Sequence, residues 1–153
     1  MLVDPGIAIG LGIILSLFFT ETLGVTAGGL IVPGYIAIYL NEPYMVIGTF
    51  SISIFTYFVV RFLSYFMLIY GKRRLVLSLL IGFLAGYTVR NYVDSSSFLA
   101  IDGELLVIGN IIPGLIANWM DRQGVLRTMS VIFITASIVQ LILMLLYRGA
   151  FYV

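Results

Sequence analysis

Long uncharged runs dictate most of what this chain can become. They lie at 5–20, 22–41, 43–60, 62–71, 75–89, 105–120 and 128–147. A helix needs about 20 mostly apolar residues to cross a hydrocarbon core, or about 17 at the short end. The runs at 5–20, 43–60 and 128–147 meet that length once their flanks are counted. The run at 75–89 meets it if Arg74 and Arg90 bury their stems and lift their guanidinium groups to the interface. With 61% hydrophobic and 10% charged residues, the chain falls far short of the roughly one quarter charged residues typical of a soluble domain. Its solvent is therefore lipid, and residues 1–153 read as a single transmembrane domain without a water-soluble neighbour.

The same composition excludes several functions. No cysteine is present, so disulfides, thiolate chemistry and Cys-ligated metals are ruled out. Histidine, the usual general base and commonest metal ligand, is also missing. A net charge of +1, with no basic cluster larger than Lys72, Arg73 and Arg74, argues against a nucleic-acid partner. The N-terminus lacks the positive region of a secretory signal and carries Asp4 instead, so it reads as a retained first span.

Two of the runs contain a Pro-Gly pair. "GLIVPGYIA" at 29–37 and "GNIIPGLIA" at 109–117 stand 80 residues apart and agree at six of nine positions. Each segment is either a full span with a break or a re-entrant hairpin. In both cases the freed backbone groups must face protein or a wet cavity, because hydrocarbon offers them no partner. Charge placement separates the alternatives. Six crossings put Lys72, Arg73, Arg74, Arg122 and Arg127 on one side and leave Arg90 and Arg148 on the other, with Asp4, Glu42, Asp94, Asp102 and Glu104. Four crossings mix the bases. Since cytoplasmic loops collect Lys and Arg, six crossings with both termini outside are expected.

"GIAIG" at Gly6–Gly10 and "GFLAG" at Gly82–Gly86 extend the repeat at an offset of 76, which implies a four-residue insertion near Asn91 to Glu104, where "DSSS" reads as a turn. The expected fold is thus an all-α polytopic membrane protein. It has about six transmembrane segments in two three-segment repeats, near 4–72 and 74–150, whose middle helices are broken at Pro-Gly. Three-segment units in tandem enter the membrane from opposite sides, the arrangement of inverted repeats.

The stretches "ETLGVTAGGLIVPGYIAIYLNEP" at 21–43, "LIYGKRRL" at 68–75 and "IIPGLIANWMDRQGV" at 111–125 resemble the small integral membrane subunit of poly-γ-glutamate synthase, the PgsC/CapC capsule biosynthesis family. The resemblance runs in order over most of the chain, although residues 91–104 show no family pattern. It implies a subunit of a bacterial or archaeal plasma-membrane complex that joins glutamate through its γ-carboxylate and moves the polymer outward. The expected partners are an ATP-dependent amide ligase, the other synthase subunits, the polymer and the bilayer; a homo-oligomer is a further option. ATP and a divalent metal are expected on the ligase, and no cofactor or catalytic residue on this chain. Consistently, the sequence contains no Gly-x-x-x-x-Gly-Lys-Ser/Thr phosphate loop. An autonomous small-solute transporter of similar architecture is the alternative.

Each candidate site has a structural and a functional reading. Gly29, Pro33, Gly34 and Tyr35 in the first break, and Gly109, Pro113, Gly114 and Asn118 in the second, either permit close helix packing or begin half-helices. The N–H groups of a half-helix would suit the carboxylates of a polyanion. Glu21 is an interfacial cap or a buried acid, with Arg61 as its candidate partner; Arg61 is otherwise an interfacial cation or a polymer contact. Lys72, Arg73, Arg74, Arg122, Gln123 and Arg127 are a topology signal, a partner-binding face, or both.

Overall fold

The computed structural model describes residues 4–93 and 103–147. Among the described residues six helices follow in order: α1 Pro5–Leu23, α2 Val32–Ile38, α3 Pro43–Phe66, α4 Lys72–Val93, α5 Gly103–Gln123 and α6 Val125–Leu146. No strand occurs among the described residues. Helices α1, α3 and α6, of 19, 24 and 22 residues, are long and apolar enough to cross a membrane. The expected turn at Asp94–Ser97 lies outside the described residues.

Local chemistry sets several of the helix ends. Asp4 caps α1, its Oδ1 accepting from the Gly6 N–H at 3.1 Å, and Pro5 occupies the first turn, where no intrahelical donor is needed. Gly24, at φ 63°, closes α1 in the left-handed conformation and donates to the Thr20 carbonyl at 3.1 Å. Gly28 and Gly29 also have positive φ, and the chain stays irregular until α2 begins at Val32.

Only one of the two Pro-Gly segments is broken. Pro113 lies inside the continuous helix α5, whereas Pro33 lies in the first turn of the seven-residue α2. The pair itself is therefore not what interrupts a helix here. "GVTAGGLI" before Pro33 combines three glycines with β-branched Val25 and Thr26, which leaves no helix for the proline to join. "GELLVIGN" before Pro113 has two separated glycines instead, and its Glu104, Leu105 and Leu106 favour a helix. A single missing N–H does not end a helix that is otherwise packed.

The chain divides into two compact units, Met1–Ile47 with Gln123–Val153, and Gly48–Arg122. The first unit holds α1, α2, the start of α3 and α6, with α1, α2 and α6 in mutual contact. Two hydrogen-bonded pairs mark how the segment before α3 runs along α6. Thr26 is bonded to Gln123, just before α6, and the Gln140 Nε2 donates to Asn41 Oδ1 at 3.0 Å. At 1.5 Å per residue these pairs are about 25 Å apart along the helix. The ends of the segment thus lie near opposite ends of α6.

The second unit holds most of α3 with α4 and α5. Arg74, in the first turn of α4, forms an ion pair with Asp121 near the end of α5, so these two helices run antiparallel. Farther in, Gly82 of α4 lies against Gly114 of α5.

Candidate functional site

Each unit is built around one joint between backbones. A Cβ placed on Gly12 would lie 2.5 Å from the Gly34 nitrogen, and one on Gly34 would lie 2.6 Å from the Ala8 carbonyl oxygen. In the second unit a Cβ on Gly82 would lie 2.6 Å from the Gly114 nitrogen, and one on Gly114 would lie 2.5 Å from the Ser78 oxygen. Real side chains do not fit at such distances, so glycine is required on both faces of each joint. The helix facing the Pro-Gly pair presents small residues at every fourth position: Ala8, Gly12 and Ser16 in α1, and Ser78, Gly82 and Gly86 in α4, all buried.

This matching sets the repeat in a register different from the one expected. Gly12 corresponds to Gly82, an offset of 70, while Gly34 corresponds to Gly114 at 80. Gly6–Gly10 is not the counterpart of Gly82–Gly86, and a Cβ on Gly10 would meet nothing within 4 Å. The third helices also match, at an offset of 79. Thr49, Ser51, Thr56 and Val60 recur as Thr128, Ser130, Thr135 and Val139, and both Thr56 and Thr135 are fully buried. That spacing is visible in the sequence, but the uncharged runs do not show it because Thr and Ser interrupt no run.

The irregular segment before α2 is held by side chains, as backbone removed from water requires. The Gln123 Oε1 accepts from the Thr26 N–H at 3.3 Å and from its hydroxyl at 3.4 Å, while Gln123 Nε2 donates to the Thr26 carbonyl at 2.5 Å. Ser16 Oγ donates to the Gly29 carbonyl at 3.3 Å. Val25, Ala27 and Gly28 are buried beside these bonds. Gln123, expected as a partner contact, thus uses both ends of its amide within the chain.

The remaining candidates sort by exposure. Pro33, Gly34, Tyr35, Pro113, Gly114 and Asn118 are buried, and the Tyr35 ring packs on Tyr39 with centroids 4.9 Å apart. Because α5 is continuous, the expected half-helix N-terminus at Pro113 does not exist; the close packing at Gly114 against Ser78 and Leu79 holds the helix through it. Gly109 also lies inside α5. Glu21 is exposed in the last turn of α1. The Arg61 guanidinium is exposed and donates to the Tyr57 hydroxyl at 2.7 Å, so Tyr57 is its partner.

In the second unit the Arg74–Asp121 pair brings the start of α4 and the end of α5 to one end. Lys72, Arg73 and Arg122 are exposed there, and Arg122 lies over the Trp119 ring at 5.4 Å. Asp121 was not expected as the partner of Arg74; no spacing within one helix signals a pairing across two. Arg127 is exposed in the first turn of α6. Among the described residues no three carboxylates gather into a set that could hold a metal ion.

The structure therefore defines a class: an all-helical chain with membrane-length apolar helices, tight glycine joints and exposed cations. Comparison with known proteins places it more closely. The family model for capsule biosynthesis CapC matches residues 11–129. The chain is 40% identical over 122 residues to the capsule biosynthesis protein CapC of Bacillus anthracis, covering 79% of this chain and 80% of that protein. It is 36% identical over 126 residues to the PGA biosynthesis protein CapC of Bacillus subtilis (strain 168), covering 82% and 83%. No solved structure matches it. The chain belongs to the CapC capsule biosynthesis family.

Proposed function

We propose that this protein is a non-catalytic membrane subunit of a poly-γ-glutamate synthase, which anchors the ATP-dependent amide ligase at the cytoplasmic face and contributes to export of the polymer. Family membership is the observation that carries this reading. In it the chain crosses the plasma membrane six times as two inverted repeats, with Lys72, Arg73, Arg74, Arg122 and Arg127 on the cytoplasmic side. Three features support that arrangement. The two hydrogen-bonded pairs along α6 suit a crossing segment at 24–41 better than a hairpin, whose ends would meet. The antiparallel α4 and α5 bring their basic ends together. Finally, each unit has the same glycine joint.

The buried Pro-Gly joints belong to the scaffold in this reading, because backbone fills the space a ligand would need. Contact with the ligase and its anionic product falls to exposed cations. Arg122 and Arg127 are the ones we assign to the ligase, since Arg74 is engaged by Asp121 and Gln123 by Thr26. An ion-coupled transporter would turn a titratable group into the interior of its helix bundle; Glu21 and Arg61, the two nearest to that description, both lie on the outer surface of the chain. The test is copurification of the ligase with the membrane subunit. Arg122→Gln with Arg127→Gln should release the ligase while the membrane subunit keeps its yield and thermal midpoint. Full retention of the ligase would remove these residues from the interface.

A further inference from the structure

Helix α4 presents two faces of different chemistry. A turn of about 100° per residue places Val76, Leu80, Leu84 and Tyr87 within about 60° of Arg73 around the helix axis, and Ser78, Gly82 and Gly86 about 140–180° away. The structure agrees: the small residues are buried and the large apolar residues exposed. Arg73 therefore stands at the head of an exposed apolar stripe. Lys72 is exposed beside it, whereas Arg74 turns toward α5 and is taken by Asp121. Neither Lys72 nor Arg73 has a carboxylate within ion-pair distance among the described residues. At 1.5 Å per residue, Arg73 to Leu84 covers about 16 Å, close to half of a ~30 Å hydrocarbon core.

We propose that this face of α4 binds an anionic phospholipid, with Lys72 and Arg73 on the phosphate and the stripe Val76, Leu80, Leu84 and Tyr87 along an acyl chain. Charge complementarity selects an anionic headgroup over a zwitterionic one, because two unpaired cations attract a net negative lipid more strongly than one whose phosphate already carries its own counter-charge. The apolar stripe selects a lipid over a soluble anion. A free polyanion would satisfy the cations and leave the stripe unused. Trp119, at the same end of this unit beneath Arg122, is a residue type that favours the headgroup level. The inference rests on α4 crossing the bilayer as proposed above, but not on ligase recruitment or polymer synthesis.

The experiment is native mass spectrometry of the purified protein in detergent with equal amounts of phosphatidylglycerol and phosphatidylcholine. Phosphatidylglycerol should be retained in preference. Lys72→Gln and Arg73→Gln should each lower that preference about five-fold, from ~1 kcal/mol per cation near the membrane surface. Arg73→Lys should keep it, and Arg127→Gln, an equal loss of charge on α6, should leave it unchanged. Glycerol phosphate, the headgroup without chains, should not displace the lipid. Equal retention of the two lipids, or an undiminished preference in the Lys72→Gln/Arg73→Gln double variant, would overturn the proposal. Displacement by glycerol phosphate or poly-γ-glutamate would overturn it in favour of a soluble anion. A failure here with α4 shown to cross the membrane would leave the functional reading intact.

Discussion

At the scale of single residues, two glycine pairs and one glutamine carry the most specific demands. Gly34→Ala and Gly114→Ala each drive a methyl group into a neighbouring backbone that has no rotamer by which to yield. Overpacking of this kind costs about 1–3 kcal/mol, equivalent to about 2–12 °C in thermal midpoint for a chain of this size. Gly10→Ala, into open space, should be neutral or slightly stabilising because alanine favours a helix. Thermal unfolding in detergent compares the three, and an equal loss at Gly10 would contradict the joints as described. Gln123→Leu should cost about 1–3 kcal/mol by leaving the Thr26 N–H and carbonyl without partners. Its readout is faster hydrogen exchange at Thr26 and its neighbours, and unchanged exchange there would show that the clamp is dispensable.

At the scale of elements, the segment that looks most like a broken helix is broken by what precedes its proline. Pro33→Ala with Pro113→Ala should therefore leave helix content and polymer yield unchanged, whereas Gly34→Ala with Gly114→Ala should lower yield along with stability. Circular dichroism and labelled polymer measure both; loss of yield in the proline variant would restore a role for the prolines themselves. The sequence made the long apolar helices legible, because runs such as 43–60 and 128–147 admit few alternatives. It also exposed the Pro-Gly repeat. It did not reveal which repeat partner each glycine meets: Gly6, Gly10 and Gly12 fall close together on one helix, and only packing against α2 distinguishes Gly12. Nor did it reveal the partners of Gln123 and Arg74, which lie across helices far apart in sequence.

At the scale of the whole molecule, the two units join sequence-distant helices, since α6 belongs with α1 and α2 while most of α3 belongs with α4 and α5. In an inverted repeat this is an exchange of third helices between the halves. The matching of Thr49, Thr56 and Val60 with Thr128, Thr135 and Val139 fits that reading. The absence of cysteine makes sided labelling simple. Single Asn41→Cys should react from outside intact cells, and single Lys72→Cys and Arg127→Cys only after the membrane is opened. Reaction of all three from one side would exclude six crossings. The functional claim has its own direct measurement: this protein is expressed in membranes with and without the ATP-dependent ligase, and labelled glutamate is followed into acid-precipitable polymer. Polymer is expected only when both are present. Polymer from the ligase alone at the same rate, or solute uptake by this chain alone, would contradict it.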